Sequence, residues 1–180
     1  EIDALISDGK IDYVAGSVDN NLTSEVKNAL STLSKDASQF FVMIEEGQID
    51  KRSHDKDQAG AIEMVKRFND AIAYATQFTL CHPDTLLIAT ADHETGGLTL
   101  GIDNIYNLQL KNLAYQKTSP DRLSRAISDY RKNNRRATWE DVKEFLGEHM
   151  GFWKEIQINW EQEKALRDVY EQSFVRNRMP

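Results

Sequence analysis

The sequence predicts an α/β fold in which short parallel strands alternate with helices, followed by a mainly helical segment. Two continuous apolar runs, residues 40–44 and 85–90, have the length and composition of strands covered on both faces. Between them, residues 58–81 carry apolar side chains at helical spacing. Strand, long helix and strand form a crossover unit, so we expect the two strands to lie parallel with a right-handed connection.

The remaining elements of the first hundred residues follow from local signals. Residues 11–15 form a short candidate strand after a turn signal at Asp8 and Gly9. Thr23 is a candidate helix cap, and Glu25 falls in the first turn, where negative charge suits the helix dipole. The apolar positions of this helix share one face: Val26, Ala29, Leu30 and Leu33. The long helix has an apolar stripe made of Ala61, Val65, Phe68, Ile72, Ala75 and Thr79.

The chain from about residue 103 onward predicts helices and no strong strand. Ser119 and Pro120 fit a helix N-cap and first helical residue. Thr138, with Asp141 three residues later, resembles a capping box, and we expect that helix to end at Gly147.

A third helix is predicted over residues 160–174. We therefore divide the chain into an α/β part, residues 1–102, and a helical insertion or lid, residues 103–180. The second part carries a basic cluster, which is either a solvated helix end or a phosphate-steering patch: Arg131, Lys132, Arg135 and Arg136.

Composition excludes several classes of function. The net charge of −7 argues against a nucleic-acid partner, which favours a basic surface. The single cysteine, Cys81, excludes an internal disulfide and a cysteine-based zinc cluster. No apolar run approaches the length of a membrane span, and the first residues do not read as a signal peptide. An acidic chain that acts on an anionic substrate needs local positive charge, which metal ions can supply.

Acidic and imidazole side chains follow both predicted strands. Asp50 and His54 are spaced i, i+4, which in a helical turn puts both on one face. Asp92 and His93 are adjacent at the end of the second run, and Glu45 ends the first. In open parallel sheets, ligands bind at the carboxyl ends of strands, so we expect these five residues to share one rim.

The chemistry of these five residues suits a cluster of cations. Imidazole nitrogen and aspartate oxygen are zinc ligands, whereas Glu45, a hard oxygen donor, suits magnesium. Two metals about 4 Å apart can clamp the attacking and leaving oxygens of a phosphoryl group. Taken singly, each feature has a plainer reading: Asp–His pairs arise by chance, and Glu45 can be an exposed acid at a strand end.

Two motifs resemble the metal-binding segments of alkaline phosphatases. The first is Phe-Val-Met-Ile-Glu-Glu-Gly-Gln-Ile-Asp-Lys-Arg-Ser-His at residues 41–54. The second is Thr-Ala-Asp-His-Glu-Thr-Gly-Gly-Leu-Thr at residues 90–99. The resemblance covers roughly residues 22–101, and the later segment resembles the helical insertion that members of the family carry before their last metal ligand.

The resemblance implies a role for each of the five residues. Asp50 and His54 would bind a first zinc ion, Asp92 and His93 a second, and Glu45 a magnesium ion. It also implies hydrolysis of phosphate monoesters through a phosphoserine, formed on a serine in an Asp-Ser-Ala type motif. Export to the periplasm or the extracellular space is likewise implied by the family alone.

The sequence departs from the family pattern in two respects. No Asp-Ser dipeptide occurs in the 180 residues, so the nucleophile motif is absent, and the neighbours of His149 do not match those of the family's last zinc ligand. We therefore expect an internal fragment of an alkaline phosphatase that is inactive alone and binds zinc weakly or not at all. A cut sheet leaves an unpaired edge, through which two copies could dimerise.

Two other functions stay open at this point. A phosphodiesterase or phosphotransferase of the same superfamily would use the same metal segments, although the second motif favours a monoesterase. A non-catalytic metal-binding module would never have had a nucleophile.

Overall fold

The computed structural model describes residues 11–17, 19–36, 39–96 and 110–176. The chain divides into two compact units, Glu1–Gly97 and Leu98–Pro180, which are described separately below.

The first unit is an α/β arrangement. Its elements in chain order are β1 (Ile11–Ala15), α1 (Leu22–Asp36), β2 (Phe41–Glu45), α2 (Gln48–His54) and α3 (Gln58–Cys81). The predicted α/β class, the strand at residues 11–15 and the long helix at residues 58–81 are thus confirmed.

The parallel pair of the first unit is not the pair that the sequence predicted. β1 pairs with β2 in parallel, in a register running from Ile11 opposite Phe41 to Ala15 opposite Glu45. The expected strand at residues 85–90 was wrong, because this segment forms no strand and its Leu86 and Ile88 are 82% and 75% exposed. An apolar run becomes a strand only where it pairs with another strand, and among the described residues this run pairs with none.

Only one face of the two-stranded sheet is covered in the described structure. Val42 and Ile44 of β2 pack against the core, whereas Phe41 and Met43 on the opposite face are each 53% exposed. Burial therefore alternates along β2, and the expectation of a strand covered on both faces was wrong for this chain. The continuous apolar composition of β2 predicted the second cover, but nothing among the described residues supplies it.

The covered face packs against α1 and α3. The core contains Val14, Leu22, Val26, Ala29, Leu30, Ala71 and Ala75. Leu22 and Val26 are fully buried, and each such side chain contributes about 1.5–3 kcal/mol of transfer free energy. The cap of α1 is Asn21, whose Oδ1 accepts the Ser24 N–H at 3.0 Å, so the expected cap at Thr23 was wrong. Thr23 instead lies inside the first turn.

The second unit is helical. Its elements are α4 (Leu110–Leu113), α5 (Pro120–Asn133), α6 (Trp139–Met150), α7 (Trp160–Tyr170) and a π-helical turn at Glu171–Val175. The predicted N-caps are confirmed: Ser119 caps α5, and Thr138 forms a capping box with Asp141 at the start of α6.

The predicted end of α6 was wrong by three residues. The helix continues past Gly147 to Met150, and Gly151 ends it in the left-handed conformation, with φ of 75°. Gly147 is buried inside the helix, where an added Cβ would lie 3.0 Å from the carbonyl oxygen of Phe152. Gly147 is therefore required by close packing, whereas Gly151 is required by the backbone turn.

An aromatic core holds the second unit together. Trp139, Val142 and Leu146 are buried, and Trp153 meets Trp139 edge-on with ring centroids 5.9 Å apart. Glu163 accepts hydrogen bonds from both indole N–H groups at 3.4 Å. In the part of the chain that the structure describes, no helix is long and apolar enough to cross a membrane.

Candidate metal centre

The first candidate metal-binding pair lies on α2, the short helix that follows β2. Asp50 and His54 are one turn apart, and the Oδ1 of Asp50 lies 3.5 Å from the Nε2 of His54. The His54 side chain is exposed and that of Asp50 is about half exposed, so a cation from solvent can reach both. The i, i+4 spacing in the sequence therefore does produce a preformed carboxylate–imidazole pair.

Glu45 ends β2, on the same face of the sheet as Tyr13. Its register partner is Ala15, two residues from Tyr13, and side chains two residues apart share one face of a strand. The Tyr13 hydroxyl donates a hydrogen bond to a carboxylate oxygen of Glu45. This hydrogen bond is the main cause that raises the pKa of Tyr13, because losing the phenol proton would leave two negative groups in contact.

The second candidate pair lies in the irregular segment after α3. The Nε2 of His93 lies 3.5 Å from the Oδ2 of Asp92, and both side chains are exposed. Two residues beyond His93, the hydroxyl of Thr95 donates a hydrogen bond to the Oδ1 of Asp50 at 2.7 Å. This contact brings the segment with Asp92 and His93 against α2.

The structure thus brings the predicted residues together in part. Each Asp–His pair is in contact within itself, and Thr95 links one pair's segment to the other pair. Among the residues that the structure describes, no three His, Cys, Asp or Glu side chains are close enough to hold one metal ion. The donor types fit zinc, which accepts histidine nitrogen and aspartate oxygen, but each pair supplies only two of the usual three or four ligands.

Two supporting contacts were not predicted from the sequence. Thr95 was part of the second motif without a role, and the buried ion pair between Arg67 and Glu46 was not anticipated. Both contacts join residues far apart in the chain, by 45 and 21 positions. For Thr95, the sequence signal was a hydroxyl within a strongly charged motif, which does not indicate the residue that the hydroxyl contacts.

Comparison with known proteins agrees with the two motifs. The family model described as alkaline phosphatase matches residues 5–167. "Alkaline phosphatase 3" of Bacillus subtilis is 38% identical over 109 residues, which cover 61% of this chain and 24% of the relative. "Alkaline phosphatase" of Escherichia coli is 33% identical over 72 residues, which cover 40% of this chain and 15% of the relative.

A solved structure agrees with the fold. The crystal structure of a cold-active alkaline phosphatase from a psychrophilic Shewanella species matches with a TM-score of 0.65 and 28% identity. The match covers 85% of this chain and 35% of the Shewanella chain.

The fold and the motifs define a protein of the phosphatase class, built on an α/β core. The chain belongs to the alkaline phosphatase family, since the family model matches most of its length. It spans about a quarter of the length of the Bacillus relatives that it matches, at 24% and 27%. The family is generally metal-dependent.

Proposed function

We propose that this chain carries the metal-binding part of an alkaline phosphatase that hydrolyses phosphate monoesters. In this proposal Asp50 and His54 bind one zinc ion, Asp92 and His93 bind a second, and Glu45 binds magnesium. The observation that carries the proposal is the hydrogen bond from Thr95 to Asp50, because it joins the two motifs in space although 45 residues separate them in sequence.

The charge of the chain supports a role for cations. Glu45, Asp50 and Asp92 are all acidic, and the net charge of the chain is −7, so a phosphate dianion would be repelled by this surface. Bound zinc and magnesium would supply the positive charge that holds the phosphoryl oxygens. The protein side chains set the positions of the ligands, Thr95 by holding Asp50 and Tyr13 by holding Glu45.

The names of relatives favour the monoesterase over the phosphodiesterase alternative. "Streptomycin-6-phosphate phosphatase" of Streptomyces griseus is 41% identical over 54 residues, and its name is that of an enzyme acting on a phosphate monoester. From its membership of the alkaline phosphatase family, we also propose a periplasmic or extracellular location for the protein.

We also propose that the 180-residue chain by itself does not turn over phosphate esters. It contains no Asp-Ser dipeptide that could supply the nucleophile, and among the described residues no third His, Cys, Asp or Glu side chain joins either Asp–His pair. Affinity for zinc depends on the number of ligands that fold into one preformed site, so two-ligand sites bind zinc weakly. Robust hydrolysis of p-nitrophenyl phosphate by the pure chain with added zinc and magnesium would contradict this.

A zinc titration followed through the histidine ring resonances tests the assignment. The chain has four histidines, of which only His54 and His93 belong to the proposed site. We expect these two resonances to move with added zinc.

The other two histidines serve as internal controls. His82 and His149 each place Nδ1 2.9 Å from a backbone oxygen and stack on an aromatic ring, Phe78 and Phe145 respectively. Their resonances should not move at zinc concentrations that shift His54 and His93. Equal shifts at all four rings, or no shift at His54 and His93 in millimolar zinc, would contradict the proposed site.

A further inference from the structure

A buried ion pair involves Glu46, which lies two residues before the start of α2, the helix that carries Asp50 and His54. The Nε of Arg67, on α3, donates to the Oε2 of Glu46 at 2.6 Å. The Glu46 side chain is fully buried and that of Arg67 is 19% exposed. A buried carboxylate is strongly unfavourable unless a cation and hydrogen bonds compensate it, so this contact is a built feature of the fold.

The same guanidinium group also holds the loop that follows β1. Its Nη1 donates to the backbone oxygens of Ser17 at 2.7 Å and Asn20 at 3.1 Å. Asn20 in turn donates through Nδ2 to the carbonyl oxygen of Ala15, at the end of β1. Arg67 therefore connects three elements: the loop after β1, the end of β2 and the long helix α3.

The second oxygen of Glu46 holds the start of α2. Its Oε1 accepts the backbone N–H of Gln48 at 3.2 Å, in the first turn of the helix. Gly47, the N-cap residue, has no side chain to make such a contact. An added Cβ at Gly16 would lie 2.5 Å from the Oε1 of Glu46, so glycine is required there to let the carboxylate reach this position.

We propose that Arg67 is a positioning residue that fixes Glu46 and thereby the orientation of α2, with Asp50 and His54 on it. A helix of seven residues is too short to be stable through its own hydrogen bonds, so its orientation must come from outside contacts. The buried side-chain anchor at its N-terminus is Glu46, and the cation that compensates Glu46 is Arg67. The metal-related part of this inference rests on the proposed function above.

The test compares Arg67→Met with Lys66→Met. Lys66 is the neighbouring residue on α3, and its exposed side chain pairs with Glu63 on the surface, so the control removes the same charge from the same helix. We expect Arg67→Met to speed amide hydrogen exchange in residues 48–54 about tenfold and to weaken zinc binding at His54 about tenfold. Lys66→Met should leave both within twofold of wild type.

Two internal references separate positioning from general destabilisation. Amide exchange in the middle of α3 reports global unfolding, and the zinc response of His93, which lies outside α2, reports the other pair. If Arg67 acts by positioning α2, the amide exchange rates in the middle of α3 and the zinc affinity at His93 should each change less than threefold in Arg67→Met. Equal acceleration of exchange throughout α2 and α3 would overturn the proposal.

A double variant keeps the proposal testable if Arg67→Met fails to fold. The double variant Glu46→Gln/Arg67→Met leaves no unpaired buried charge, so the chain should fold. It still lacks the link from α2 to the loop after β1. We expect exchange in residues 48–54 to stay at least threefold faster than wild type, with α3 protected. If amide exchange in α2 of the double variant is as slow as in the wild type, the proposal is overturned. If the His54 resonance of the wild type does not respond to zinc, the proposed function is overturned, but the exchange test of Arg67 stays valid.

Discussion

The Thr95 hydroxyl lies 2.7 Å from the Oδ1 of Asp50 and donates a hydrogen bond to it. The same Asp50 oxygen lies 3.5 Å from the Nε2 of His54. One oxygen of Asp50 is therefore engaged by both a hydroxyl and an imidazole, which restricts the carboxylate to a narrow range of orientations. In the proposed zinc site, this hydrogen bond would fix the direction of the Asp50 carboxylate and so tune its affinity for the metal.

Replacing Thr95 by valine should weaken zinc binding at Asp50 and His54. Valine keeps the shape of threonine and removes the hydroxyl donor, so Asp50 loses its fixed orientation. We expect an increase of about tenfold in the zinc dissociation constant measured at the His54 ring resonance. The control is Thr90→Val, because the Thr90 hydroxyl donates to the carbonyl oxygen of the next residue, Ala91, and not to Asp50. An unchanged dissociation constant in Thr95→Val would remove the role assigned to this contact.

The second unit should lose stability in acid because of two carboxylates with lowered pKa. The backbone N–H and hydroxyl of Thr138 lower the pKa of Asp141, and a hydrogen bond from Lys143 is the main cause that lowers the pKa of Glu163. The unfolded chain binds protons more readily at these two sites. Their stabilisation is therefore present above the unfolded pKa values of about 4 and is lost as the pH falls through the lower folded values.

Acid unfolding followed by tryptophan fluorescence measures this effect, since Trp139 and Trp153 both donate to Glu163. Asp141→Asn should make stability less dependent on pH below about 4.5 than in the wild type. The control is Glu140→Gln, which removes the exposed acid that immediately precedes Asp141, and it should keep the wild-type slope. Identical slopes in wild type and Asp141→Asn would contradict the prediction.

Local chemistry was predictable from the sequence. The capping box at Thr138 and Asp141, the cap at Ser119 and the i, i+4 pair of Asp50 and His54 each depend on residues within one turn. Such contacts form wherever the helix forms, so residue type and spacing determine them.

Features that depend on distant partners were not predictable. Residues 85–90 have strand composition, but a strand also requires an edge to pair with, which composition does not report. The two supporting contacts of the candidate site, Thr95 with Asp50 and Arg67 with Glu46, join different elements, and only the folded backbone determines which pairs meet.

Gly151→Ala should destabilise the second unit by more than the free-energy cost of placing a side chain in the left-handed backbone conformation. Gly151 has φ of 75°, where a side chain costs about 1–2 kcal/mol, and an added Cβ would also lie 2.7 Å from the Cβ of Tyr115. Gly96→Ala, in the first unit, is the control for the left-handed penalty alone, because φ is 78° and nothing lies within 4 Å of an added Cβ. Urea denaturation should give a larger loss for Gly151→Ala, and an equal loss would show that Tyr115 moves away freely.

The uncovered sheet face predicts self-association of the isolated chain. Tyr13, Phe41 and Met43 lie on one face of the two-stranded sheet, which the described residues leave open, and contiguous apolar surface of this kind favours association. We expect the apparent mass in light scattering to rise with protein concentration, and Met43→Glu to reduce that rise.

Val65→Glu is the matched control for Met43→Glu. Val65 lies on α3 and is 51% exposed, against 53% for Met43, so the two changes add the same charge at sites of nearly equal exposure. If the chain associates through the open sheet face, Met43→Glu should reduce association and Val65→Glu should not, because Val65 lies on a helix and not on that face. A wild-type chain that stays monomeric at high concentration would contradict the prediction. An equal effect of both substitutions would show that net charge, and not this face, controls association.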